Sequence, residues 1–200
     1  MARKKKRNGV QDLIGLERLT NCGIKTDKAE IAYFSVEPTN ISVLSAENIE
    51  DILQLPHGSI SEALSMRIID AGLRTLIVPI SDFDTEVSVF PNEQELKAFC
   101  LENDIDIILI FSKETASEEN FAHTRVFAPK FGYLEDPATG SGNSAFANYL
   151  LCEKLWDGSP ITIEQGGNDR IFNSVKLKIT DGKVLFGGKS TVRIKGDYLV

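Results

Sequence analysis

Glu135-Asp136-Pro137-Ala138-Thr139-Gly140-Ser141-Gly142-Asn143-Ser144-Ala145-Phe146-Ala147-Asn148-Tyr149 is the stretch that decides how this chain folds. Pro137 biases the residue before it, Asp136, toward extended backbone. Gly140 and Gly142 permit a tight turn and close backbone approach. The run that follows, Ser144 to Leu155, has helix-forming composition and length. A helix starting there would aim unsatisfied N–H groups, and roughly half an elementary charge, at whatever sits above Gly140–Asn143. That is an anion site with a carboxylate and a hydroxyl beside it. The plainer alternative is a capped helix after a turn, with Ser141 or Asn143 as N-cap.

Working outward, Ala145, Phe146, Ala147, Tyr149, Leu150, Leu151, Cys152 and Leu155 leave the helix no wholly polar face. Such a helix needs to be surrounded. The flanking segments supply strands. Ile24–Val36, Arg67–Gly72, Thr75–Ile80, Ile105–Phe111 and Phe121–Phe127 are predicted before it. Behind it come Ile161–Glu164, Ser174–Thr180, Lys183–Phe186 and Ser190–Lys195. Asp181-Gly182 between two alternating runs signals a hairpin. Ser45–Leu55 and Asn92–Glu102 have helical spacing, the latter with Asn92 as cap and Glu95 as its capping-box partner. The expected class is α+β: a curled, mostly antiparallel sheet wrapped around a central buried helix, with other helices outside.

Composition narrows the function. The chain has 200 residues, 42% of them hydrophobic, enough for one domain or two small lobes. The net charge is −7, yet residues 3–7 hold five of the 22 basic residues. The rest carries 17 positive against 29 negative charges, a balance of −12. An acidic body repels a phosphate backbone, so no nucleic-acid partner is expected. No apolar run is long enough to span a membrane and no secretory segment is read, so a cytoplasmic location is expected. Cys22, Cys100 and Cys152 are odd in number and widely spaced, which implies neither a disulfide framework nor a metal cluster. They are expected to be small buried hydrophobes. His57 is read as a loop residue, His123 as structural or solvent-facing, and Trp156 as a packing residue. Glu135 and Asp136, being strand neighbours, point to opposite faces, which makes Glu135 an orienting partner rather than a second acid.

The residues resemble the phenazine-biosynthesis PhzF-like isomerases of the diaminopimelate-epimerase superfamily. The resemblance is carried by Arg125-Val-Phe-Ala-Pro129, Gly132-Tyr-Leu-Glu-Asp-Pro-Ala-Thr-Gly-Ser141, Glu164-Gln-Gly-Gly-Asn-Asp-Arg170 and Gly187-Gly188. Weaker support comes from Asp70–Pro79 and Phe90-Pro-Asn92. It implies two lobes facing across a cleft, with cofactor-free proton transfer on a small carboxylate-bearing metabolite. Asp136 and Ser141 are the implied catalytic pair, Ser141 acting in binding or relay. Gly140, Gly142, Asn143, Gln165 and Arg170 are the implied substrate-binding residues; no metal or other cofactor is implied. The family's early Gly-Asn-Pro element and its glutamate have no counterpart; Glu17 lacks the surrounding motif. Residues 1–23 are therefore expected to be a basic, poorly structured segment and 24–38 a remnant of the first lobe. Residues 39–200 are expected to form the second lobe, its last strands returning to the first. Most of the N-terminal lobe is expected to be lacking, with a homodimer or a complementing chain completing the cleft. The alternative is a non-catalytic, carboxylate-binding or interaction remnant of the family.

Overall fold

Strands form where β-branched and aromatic residues run together, and the longest such runs lie mid-chain. In the computed structural model, which describes residues 30–43, 48–167 and 172–190, ten strands join one sheet. They are β1 (Glu30–Phe34), β2 (Asn40–Val43), β3 (Arg67–Asp70), β4 (Arg74–Pro79), β5 (Ile107–Ser112), β6 (Ala122–Phe127), β7 (Glu135–Asp136), β8 (Ile161–Gln165), β9 (Asn173–Thr180) and β10 (Lys183–Ser190). Among the described residues four α-helices accompany them: α1 (Ile49–Leu53), α2 (Phe83–Ser88), α3 (Glu93–Glu102) and α4 (Gly140–Cys152). The basic run 3–7, Glu17, Cys22, the start of the 24–36 strand, the start of the Ser45 helix, Arg170 and residues beyond Ser190 lie outside the described residues.

The strand order is β1-β10-β9-β8-β6-β5-β4-β3-β2, with β7 paired to β6. The β4–β5 and β6–β8 pairs are parallel and the others antiparallel. The mostly antiparallel character is as expected, but the curl is not. The sheet is open: its path ends at β1 and β2, and no pairing among the described residues joins them.

The physical reason is visible in the central strands. Side chains alternate between faces along a strand. On one face Ile69, Ile77, Ile107, Leu109, Phe111 and Val126 form a core with Phe146 and Tyr149 of α4. On the other, Ile68, Leu76, Val78, Ile108, Ile110 and Phe127 form a second core with Ile49, Leu53, Leu96 and Phe99 of α1 and α3. Both faces are apolar, so both need a helical layer, and the sheet is sandwiched rather than wrapped.

The all-round apolar character of α4 is satisfied differently. Phe146 and Tyr149 are fully buried, with Phe111 4.7 and 5.4 Å from their rings. Each such side chain contributes about 1.5–3 kcal/mol by burial. Loops complete the enclosure: Tyr149 Oη donates to the Ser65 carbonyl at 3.0 Å, and Ser144 Oγ to Val36 at 3.4 Å. Trp156 is buried as expected, its Nε1 donating to Ser159.

The Asp181-Gly182 hairpin forms between β9 and β10, both residues at positive φ (53° and 74°) as the tight turn requires. The strand after it does not stop at Phe186 but runs through Gly187-Gly188 to Ser190. Gly187 sits opposite Tyr33 of β1, and a Cβ there would run into the Ala32 carbonyl. The segment 24–38 thus supplies β1, which shares a sheet with the rest.

Asn92 caps α3 as expected, its Oδ1 accepting from the N–H groups of Gln94 and Glu95. The sequence reading missed α2. Its start is an Asp82 cap accepting from Thr85 N–H at 2.7 Å, a signal that was available but stood before only six helical residues. Of the cysteines, Cys100 is buried as expected, whereas Cys152 is exposed.

Candidate functional site at the start of α4

The helix begins at Gly140, four residues before the expected Ser144. The N-cap is therefore Thr139, in extended conformation, and neither Ser141 nor Asn143 occupies that position. Thr139 makes no side-chain capping bond. The N–H groups of Gly140, Ser141 and Gly142 fall in the first turn, where an α-helix supplies them no internal partner. Gly140 and Ser141 are half-buried, while Gly142 and Asn143 are buried. Gly140 has a packing reason to be glycine, since a Cβ there would lie 2.8 Å from the Phe186 ring.

Asp136 stands at the end of β7, half-buried, opposite Val126. That register turns it toward the α4 face of the sheet. Its Oδ1 accepts from the Ala138 N–H at 3.2 Å, a local turn that fixes the carboxylate. Glu135, opposite Phe127, faces the other way, as strand alternation requires. It takes both nitrogens of one edge of Arg125, at 3.0 and 2.9 Å.

Gln165, on β8, is fully buried. Its Oε1 accepts from Thr139 N–H (3.2 Å) and Asn143 Nδ2 (2.7 Å). Its Nε2 donates to the Asp136 carbonyl (2.7 Å) and to Thr139 Oγ1 (3.2 Å). Asn143 Nδ2 also donates to the Thr139 carbonyl at 2.9 Å, and Asn143 Oδ1 has no partner among the described residues. Asn173 Nδ2 donates to the Pro137 carbonyl. The structure thus gathers Asp136, Gly140, Ser141, Gly142, Asn143 and Gln165 at one turn. Arg170 lies outside the described residues.

A second polar cluster was not anticipated. His123 and Glu86 are both fully buried, with Nδ1 3.2 Å from Oε1. Neither side chain makes a well-directed hydrogen bond among the described residues. Phe83 and Phe172 pack edge-on to the imidazole, each 4.9 Å away. Burial pushes the Glu86 carboxyl up to about 7, against the opposing pull of His123, Ser112 and Arg125. Arg125, buried beside it, donates from Nη1 to the carbonyls of Glu86, Val87 and Val89. His123 and Arg125, two residues apart on β6, share the face away from Asp136. Only the packing of α2 on β6 makes the pair, so no local motif could announce it. His57 lies in a turn, the loop position expected, and is exposed.

Among the described residues, no group of three or more His, Cys, Asp or Glu is arranged to hold a metal. No helix there is long and apolar enough to cross a membrane. A cavity of about 530 Å³ bordered by Phe121, Leu151, Lys154 and Trp156 lies at the far end of α4, roughly 20 Å from Gly140 by helix length. It shares none of the chemistry at the Asp136 turn.

Fold and site together define an open mixed-sheet protein in which a glycine-rich helix start abuts a fixed carboxylate. The chain belongs to the phenazine biosynthesis-like (PhzC-PhzF) family, whose model matches residues 6–197. It is 27% identical over 198 residues to Antisense-enhancing sequence 1 of Schizosaccharomyces pombe, covering 94% of this chain and 65% of that protein. It is 29% identical over 143 residues to an uncharacterized isomerase of the same yeast, covering 72% and 73%. A Bacillus anthracis phenazine biosynthesis protein of the PhzF family superposes with a TM-score of 0.69 at 20% identity, over 86% of this chain and 62% of that one. At that identity the superposition shows the fold alone.

The family match corrects one expectation. It begins at residue 6, so residues 6–23 belong to the matched region and the inference that most of the first lobe is lacking is overturned. That inference rested on two short motifs, which can be lost while the pattern around them persists. The chain spans 65% of the length of the first relative named and 62% of the superposed structure.

Proposed function

We propose that this chain is a cofactor-independent isomerase or epimerase that moves a proton at a carbon beside the carboxylate of a small metabolite. The observation that carries the reading is the uncapped first turn of α4 set beside Asp136. A substrate carboxylate fits the N–H groups of Gly140, Ser141 and Gly142, which meet it with donors and the helix dipole. Proton removal next to that carboxylate builds enolate charge, which fixed donors stabilise in the transition state. Asp136 exchanges the proton, a role typically worth about 10²–10⁴-fold. Ser141 binds or relays, because its hydroxyl is too weak a base to take a proton from carbon. The family membership and the isomerase naming of one relative agree with this reading.

The test is incubation of the purified chain in D₂O with small amino and hydroxy acids as candidate substrates. Deuterium at the carbon beside the carboxylate, reduced at least about 100-fold in Asp136→Asn, is expected. Incorporation that is unchanged in the variant overturns the assignment of Asp136.

A second reading is a carboxylate-binding protein without turnover. It is favoured by one observation: Glu135 is committed to Arg125 on the opposite face, leaving Asp136 without a second carboxylate from its own strand. Under this reading a carboxylate raises thermal stability in wild type and not in Gly142→Val, whose branched side chain would press on Thr139 and Ile107, and no deuterium is incorporated.

A further inference from the structure

We infer that Gln165 is a positioning residue, holding the Asp136 turn and the start of α4 in one geometry without touching substrate. The inference rests on the proposed function for what the turn does, but on hydrogen bonds alone for how it is held.

The carboxamide is saturated. Oε1 accepts two bonds and Nε2 donates two, all to the segment 136–143. Its orientation is fixed by partners that cannot exchange roles. The Thr139 N–H can only donate, so it faces Oε1; the Asp136 carbonyl can only accept, so it faces Nε2. Asn143 must then turn its Nδ2 toward Oε1, which leaves Asn143 Oδ1 as the unpartnered atom. Gln165 is fully buried, so its polar atoms have no water to fall back on.

The consequence for the helix is specific. Gln165 engages both Thr139 N–H and Thr139 Oγ1, and that hydroxyl makes no capping bond to the first turn. Gln165 thereby helps to keep the Gly140–Gly142 N–H groups available for an anion. It also holds the carbonyl of Asp136, and so the backbone from which the carboxylate projects beside those donors. No carboxylate or hydrocarbon of similar length can do both. Glutamate loses the donor that faces Asp136, and methionine loses all four bonds.

The experiment compares wild type, Gln165→Met, Gln165→Glu and Thr139→Val by amide NMR, titrating each with sodium acetate as a bare carboxylate probe, with thermal unfolding in parallel. In wild type the Gly140, Ser141 and Gly142 amide signals shift with acetate. In folded Gln165→Met the signals from 136 to 143 are displaced and acetate affinity falls about tenfold, the effect of roughly one net hydrogen bond's free energy. Gln165→Glu shows a signature that loss of stability alone does not produce. A buried carboxyl titrates high, and its protonated form regains one donor. Acetate affinity in this variant therefore recovers as pH is lowered from 8 toward 5.5, unlike wild type.

Wild-type amide positions and acetate affinity in the folded Met and Glu variants would overturn the inference. If both variants fail to fold, Thr139→Val decides, since it removes only the Oγ1 acceptor. Displaced first-turn signals support the inference and unchanged ones overturn it. If wild type shows no acetate response at all, the proposed function loses its anion site, while the displacement of the 136–143 signals still judges Gln165.

Discussion

Glu86 is the residue whose behaviour is least expected from sequence. A carboxylate buried beside His123 and Arg125 of β6 and Ser112 of β5 is raised to about 7 from the ordinary 4.5, with burial the leading cause. A raised folded-state value means the native state holds the proton while the unfolded chain releases it. The associated stability is fully present below about 4.5 and is lost as pH rises through about 7. Urea unfolding at pH 5, 6, 7 and 8 is expected to show a decline of up to a few kcal/mol, each tenfold difference in proton affinity between the two states contributing about 1.4 kcal/mol. Glu86→Gln, which stays neutral, is expected to flatten it. Glu50, Asp82 and Asp106, all held below their ordinary values, lose their contributions only at lower pH and do not obscure the window. That Asp136 and Gly140–Gly142 meet at one turn was legible in sequence because these residues are nearly contiguous. Glu86 and His123 were not, because they lie far apart in the chain and only tertiary packing makes them neighbours. Gln165 was named from sequence beside the same turn, but its four hydrogen bonds to Asp136, Thr139 and Asn143 were not legible there. A glutamine that binds substrate and one that binds backbone look alike until the partners are known.

At the scale of elements, the start of α4 shows where local propensity loses to packing. Gly-Ser-Gly-Asn reads as turn, since glycine costs about 1 kcal/mol relative to alanine inside a helix. The helix nevertheless begins at Gly140, because Asn143 Nδ2 bonds to both Thr139 and Gln165 and the Phe186 ring packs where a Cβ would be. Gly140→Ala is therefore expected to destabilise by about 1–3 kcal/mol despite its better helix propensity, because the ring must move out of a packed position. Adding Phe186→Leu should recover much of the loss. Chemical denaturation of the two single variants and the double variant checks this, and additive effects would show that the ring is not the obstacle. The long apolar strands and the Asn92 cap were readable for the opposite reason: there, propensity and packing agree. The six-residue α2 was missed because so short a helix has no apolar period to recognise.

On the scale of the whole molecule, two cores on opposite faces of one open sheet meet at β6 and β7. Sequence showed that the central strands were apolar throughout, which implies cover on both sides, yet it could not show whether the sheet's ends meet. That depends on pairings between residues far apart in the chain. The same alternation makes β7 a bridge between the faces. Glu135 looks toward Arg125 and α2, and Asp136 one residue on looks toward α4. Arg125 is fully buried, holds three carbonyls at the end of α2, and grips Glu135 with two further nitrogens. Lysine cannot reproduce that fork. Arg125→Lys is expected to destabilise by about 1–3 kcal/mol, the range for leaving buried polar groups, here the carbonyls at the end of α2, without their donor. Glu135→Gln should cost less alone and add little in the double variant, since Arg125 and Glu135 act together. The informative readout lies on the other face. If β7 couples the layers, Arg125→Lys displaces the amide signals of Asp136 and Ala138 while the Asp181-Gly182 hairpin signals stay put. A uniform loss of stability with those two signals unmoved would mean that Arg125 secures α2 and nothing beyond it.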